Sequence, residues 1–128
     1  GASGIKLDIN GIHIIFLYIS HKPHATQYWT EVIQLLNNWI SYDTPTIIMG
    51  DMNWHFDHDS SHPMKLFLER KGFHQMVDRA THDQGNCIDH IYINTEVSTL
   101  GPVIETQSTY FSDHDIITLL FPAIKLVT

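Results

Sequence analysis

The chain has 128 residues, 43% of them hydrophobic, and sets 7 Lys and Arg against 14 Asp and Glu for a formal charge of −7. That length suits one compact domain, and the acidic balance argues against a basic module that grips nucleic-acid phosphates unaided, since such contacts need Lys and Arg. The single cysteine, Cys87, excludes an intramolecular disulfide and cysteine-rich zinc sites and fits an intracellular compartment, the nucleus included, while no apolar run reaches the roughly 20 residues of a membrane-spanning helix.

Gly1-Ala2-Ser3-Gly4 reads as a cloning remnant, left out of the expected fold, so that residues 5–128 form the domain. Ile12–Ile19 is apolar and β-branched or aromatic except at His13, which predicts a buried strand. A helix is expected from about Ala25 to Ile40, because Tyr28, Trp29, Val32, Ile33, Leu36, Trp39 and Ile40 fall on one stripe. Asp43-Thr44-Pro45 breaks it, and Thr46–Met49 predicts a second buried strand ending at Gly50. A second helix should start at Pro63, with Ser60 or Ser61 near its cap, Met64, Phe67 and Leu68 as its apolar face, and Gly72 closing it. A short strand is expected near Gln75–Asp78, a turn at Gln84-Gly85-Asn86, and strands at Ile88–Ile93 and Asp115–Phe121. This order predicts an α/β layer, helices packed on a mixed sheet.

Three motifs place carboxylates at the edges of apolar strands: Gly50-Asp51-Met52-Asn53, Ile88-Asp89-His90 and Ser112-Asp113-His114. Convergent carboxylates suit hard divalent cations and phosphate oxygens. Asp51 and Asn53 are two apart, so strand geometry would aim both side chains the same way; Gly, Asp and Asn are equally the residues of a plain strand-ending turn. An adjacent Asp–His pair can divide its labour, with Asp113 on metal and the His114 imidazolium donating to phosphate. A histidine charged at neutral pH needs a partner, and Asp89 is the candidate. His90 should face the other side of the sheet. The cluster His55, His58 and His62 with Asp57 and Asp59 could bind zinc, although its spacing matches no tight zinc motif.

The order GDxN, IDH, SDH resembles the C-terminal half of the endonuclease/exonuclease/phosphatase family, over roughly residues 12–121. The resemblance implies half of a two-sheet α/β sandwich, a mixed β-sheet with helices on one face. It further implies Mg²⁺- or Mn²⁺-dependent phosphodiester hydrolysis. Asp51 would orient or deprotonate the attacking water, and Asn53 would contact the phosphate or a second metal. Asp113 would bind metal with Asp51 and Asn53, and Asp89 would support His114. Tyr18, ending the first strand, matches the position that hydrogen-bonds the scissile phosphate; Lys22 and His24 in the loop behind it could meet phosphate too. The stretch Thr81–Tyr92, Thr-His-x-x-Gly-Asn-x-hydrophobic-Asp in type, looks most like the endonuclease domains of retrotransposons and Helitron-type proteins. That favours a DNA substrate over inositol phosphates.

The family's first half supplies a metal-binding Glu that has no counterpart before Tyr18; Glu31 and Glu69 fall on the expected helices. The site is therefore expected to be incomplete in one chain. The missing half would be replaced by a second copy packed face to face, as a homodimer, or carried by further polypeptide. Two rivals stand beside the endonuclease: a catalytically weak half-domain that works in assembly, and a small-molecule phosphatase of the same superfamily.

Overall fold

In the computed structural model, residues 2–20, 25–41, 43–53, 61–77, 89–108 and 113–121 are described. The expected strand Ile12–Ile19 forms with those bounds as β2, but it is preceded by β1, Ala2–Ile9, which pairs with it antiparallel. The fold expectation had left Gly1–Gly4 out, yet Ala2, Ser3 and Gly4 sit opposite Ile19, Tyr18 and Leu17. The hairpin turns through Asn10 and Gly11, both at positive φ (53° and 82°), the pairing that a tight two-residue turn requires. The signal was present in Ile5-Lys6-Leu7-Asp8-Ile9-Asn10-Gly11, alternation followed by Asn-Gly.

Helix α1, Thr26–Trp39, carries the chain across to β3, Thr46–Asp51, which runs parallel to β2. This is a strand–helix–strand crossover, the connection that parallel strands need. Helix α2, Pro63–Arg70, follows. Its cap is His62, neither Ser60 nor Ser61: the His62 Nδ1 accepts from the Met64 amide at 3.2 Å. Strand β4 is only His74–Gln75, shifted from the expected Gln75–Asp78. There the Gln75 side-chain oxygen takes the amides of Val77 (3.2 Å) and Ile91 (2.8 Å), so a side chain substitutes for the backbone ladder. β5, Asp89–Ile93, completes a sheet in the order β1-β2-β3-β5-β4. A four-residue helix α3, Thr95–Ser98, and a strand β6, Val103–Gln107, were not expected; β6 pairs antiparallel with β7, Ile116–Leu120, as a separate two-stranded sheet.

Alternation along β2 and β3 builds two cores. On one face Ile15, Leu17, Ile19 and Ile48 pack with Val32 and Leu36 of α1 and Met64, Phe67 and Leu68 of α2. On the other, Ile47, Ile91 and Ile93 pack with Val97, Ile104, Ile117 and Leu119, so the small sheet lies over the β3–β5 side. The near-continuous apolar character of β2 predicted burial of both faces. At Phe16 and Tyr18 that expectation fails: both are exposed, as are Ile5, Leu7 and Ile9 on β1, because the two-stranded sheet does not reach that far.

Asn94 ties the layers together. Its side-chain oxygen accepts from the Thr46 amide (3.0 Å) and caps α3 at the Val97 amide (3.3 Å), and its Nδ2 donates to the Thr44 carbonyl at 2.7 Å. Asn94→Ala strands two buried amides, and the expected loss is roughly 2–4 kcal/mol, measurable by urea denaturation. A loss below about 0.5 kcal/mol would mean that these bonds are replaced by water.

Candidate active site

Three residues fall on one rung at one end of the large sheet. Tyr18 of β2 lies opposite Asp51 of β3, and Asp51 lies opposite Asp89 of β5. Directly opposed residues share a face. β5 runs antiparallel to β3, so the first residue of one strand meets the last residue of the other. Loops at the carboxyl ends of parallel strands are where open α/β sheets place ligands.

Gly50 makes that row possible. Its φ is +146°, in the region that only glycine enters cheaply, and a Cβ there would stand 1.8 Å from the Leu17 carbonyl oxygen. Without a side chain at 50, β3 presses against β2 just before Asp51. After Asp51 the strand stops. Met52 is fully buried, and Asn53 takes a left-handed conformation at φ 51°. The Asn53 amide nitrogen donates to the Ile19 carbonyl at 2.5 Å, and its backbone N–H donates to Asp51 Oδ1 at 3.2 Å. The period-two alignment expected of Asp51 and Asn53 therefore does not hold: Asn53 turns back to latch the end of β2 and steadies the Asp51 carboxylate through its backbone.

His114 approaches from the segment leading into β7. Its Nδ1 lies 2.7 Å from Asp89 Oδ2, while Nε2 lies 3.9 Å from both Asp51 Oδ2 and Asp113 Oδ1. The hydrogen bond to Asp89 raises the His114 pKa above the ordinary imidazole value; partial burial opposes it, and the charges of Asp89, Asp51 and Asp113 add to the rise. A carboxylate can only accept, so Nδ1 donates to Asp89, and Nε2 faces the two other carboxylates. Side-chain accessibility is 32% for His114, 17% for Asp89, 25% for Asp51 and 60% for Asp113, so the dyad is sheltered and Asp113 stands at the rim.

Ligand atoms of Asp51, Asp89 and His114 all lie within 4.8 Å of one another. Carboxylate oxygens are the donors that suit a hard cation, and Asp51 and Asp113 both face His114 Nε2. The group contains no glutamate; Glu31 and Glu69 lie on α1 and α2. Beside it opens a cleft of about 240 Å³, floored by Phe16, Met49, Ile91 and Ile117 and rimmed by Asp51, Asp89 and Asp115. Asp115 was not among the expected site residues; its place one residue after Asp113-His114 was the only signal.

His90 points to the helix side, as expected: it is fully buried, with Nδ1 3.0 Å from the Tyr92 hydroxyl. Lys22 and His24, His55 and His58 with Asp57 and Asp59, Ser112, and Thr81–Ile88 with Cys87 lie outside the described residues. Of the zinc cluster only His62 is described, and its Nδ1 is engaged as a helix cap.

Residues 4–114 match the model of the Endonuclease/Exonuclease/phosphatase family. No curated protein matches the chain. Among solved structures, the endonuclease domain of TRAS1, a telomere-specific non-LTR retrotransposon, is similar over 92% of this chain and 60% of its own, with 16% identity and a TM-score of 0.64. An endonuclease/exonuclease/phosphatase family protein from Leptotrichia buccalis gives 95%, 54%, 18% and 0.62. Cytolethal distending toxin from Actinobacillus actinomycetemcomitans gives 92%, 52%, 12% and 0.62. At these identities the likeness is one of fold, and the chain spans between 52% and 60% of the length of these structures.

Proposed function

The chain belongs to the endonuclease/exonuclease/phosphatase family, and on that premise we propose that it is a divalent-metal-dependent phosphodiesterase acting on DNA. The observation that carries this reading is the His114–Asp89 pair set at 2.7 Å beside Asp51. In this reading Asp51 takes the proton of the attacking water, and the His114 imidazolium donates through Nε2 to a non-bridging phosphate oxygen as charge builds there. Asp89 holds the imidazolium in its tautomer and orientation. Tyr18, on the same rung as Asp51, and Asn53, latched at the end of β2, bracket the phosphate. A hard cation, Mg²⁺ or Mn²⁺, held by Asp113 and Asp51, would neutralise phosphate charge that the acidic surface otherwise repels. The retrotransposon endonuclease among the structural neighbours and the Thr81–Tyr92 stretch support DNA over other phosphodiesters.

A second reading is a half-domain that assembles more than it catalyses. It is favoured by the acid group, which among the described residues holds no glutamate. In both readings the uncovered face at Phe16 and Tyr18 receives a second layer, from further polypeptide or from a second copy. Supercoiled plasmid incubated with Mg²⁺ or Mn²⁺ separates the two. The enzyme reading expects nicking that chelator abolishes and that Asp51→Asn and Asp113→Ala each reduce by roughly 10²-fold or more. Absence of nicking with either metal would turn the assignment to the assembly module.

A further inference from the structure

β1 closes one side of the large sheet, and among the described residues no strand pairs with its outer edge. An eight-residue edge is a template for another strand, and proteins usually blunt it with charge, bulges or cover. Here the edge carries an alternating pattern. Ile5, Leu7 and Ile9 lie on the uncovered face, 61%, 43% and 50% exposed, and Lys6 and Asp8 lie on the other. Asp8 is held in place: Oδ1 accepts from the Gly11 amide at 3.1 Å and Oδ2 lies 3.5 Å from His13 Nε2, while its side chain stays 60% exposed.

We propose that β1 is a self-association edge, pairing antiparallel with β1 of a second copy about a two-fold axis at Leu7. In that register Lys6 stands opposite the partner's Asp8, Asp8 opposite the partner's Lys6, Ile5 opposite the partner's Ile9, and Leu7 opposite the partner's Leu7. Directly opposed opposite charges and apolar pairs stabilise a ladder, and like charges destabilise it. The neighbouring registers that keep the faces aligned fail on this count: a shift of one rung either way sets Lys6 against the partner's Lys6 or Asp8 against the partner's Asp8. Shifts by half that step put charges opposite apolar residues and swap the faces. Charge order thus selects one register. The product is a continuous ten-stranded sheet in which the rung of Tyr18 and Asp51 runs on to Ser3 of the seam strand. It buries less than a standard interface, so it forms as a concentration-dependent dimer. It uses a different surface from face-to-face packing over Phe16 and Tyr18.

Sedimentation equilibrium from low-micromolar to submillimolar concentration tests the pairing. The chain should pass from monomer to dimer. Lys6→Glu and Asp8→Lys, each creating two like-charge rungs, should weaken dimerisation by at least about tenfold, and their equimolar mixture should regain it, because every rung of the mixed dimer pairs opposite charges. Should Asp8→Lys fail to fold without its Gly11 bond, the order wild type, then Lys6→Ala, then Lys6→Glu in decreasing affinity makes the same distinction. A monomer throughout, a dimer indifferent to both substitutions, or a mixture that fails to recover overturns the proposal.

Discussion

His114→Ala should lower phosphodiester cleavage by roughly 10²–10³-fold, the scale for losing one donor to a developing oxyanion, with little change in the fold, since the side chain is about a third accessible. The pH dependence carries the sharper test. The pKa of His114 is raised first of all by its hydrogen bond to Asp89, so the protonated form that the mechanism needs persists to higher pH than in a free imidazole. Activity should therefore fall as pH rises through that raised value. Asp89→Asn removes the charge while keeping the shape and leaving only a neutral amide oxygen as acceptor, and its alkaline limb should move to lower pH. Stability follows the same sign: a pKa raised on folding contributes stability that is complete below the unfolded value of about 6.5. That contribution is lost as pH rises through the folded value. An NMR titration of His114 in both proteins reads this without requiring turnover. Identical titrations in the two would remove Asp89 from its assigned role, even if the nuclease assay succeeded.

Gly50→Ala should be the most damaging single change in the sheet. The new methyl would meet the Leu17 carbonyl oxygen at 1.8 Å on a backbone at φ +146°. Steric overlap in a packed ladder and a conformation closed to side chains each cost about 1–3 kcal/mol. Together, roughly 3–5 kcal/mol is a large share of a domain's whole stability. Thermal unfolding should drop by about 10 °C or more, and whatever folds should hold Asp51 off its rung, so cleavage suffers beyond the loss of folded protein. Gly11→Ala is the control: it also sits at positive φ but has nothing within 4 Å of its Cβ position, so its penalty is conformational alone, about 1 kcal/mol. Equal losses at the two glycines would mean that the contact with Leu17 is relieved by a shift of β2.

Much of the frame was legible because local rules dominate there. The β-branched run of β2 and the seven-residue stripe of α1 match the strand and helix observed to within a residue at each end. Pro63 opened α2 and Gly72, at φ 84°, followed its end. Where side chains replace backbone partners, sequence reading slipped: His62 capped α2 in place of a serine, and Gln75 cut β4 short. Only Ala2–Gly4 of β1 fell in the stretch excluded from the expected fold; the rest of the strand, Ile5–Ile9, carried its signal in the alternation before Asn10-Gly11.

The order of GDxN, IDH and SDH, a property of local sequence, was sufficient to single out Asp51, Asp89, Asp113 and His114 and the family to which the chain belongs. Apolar periodicity likewise set the elements and their helix-facing side. Only the tertiary structure decided that Tyr18, Asp51 and Asp89 share one rung, that His114 reaches Asp89 across the gap between two sheets, and that Asn53 bonds Ile19 instead of standing parallel to Asp51. The reason is that strand register and sheet-to-sheet distance depend on pairings between residues far apart in the chain. No window of sequence contains both partners, and a slip of one residue would have turned each carboxylate to the opposite face.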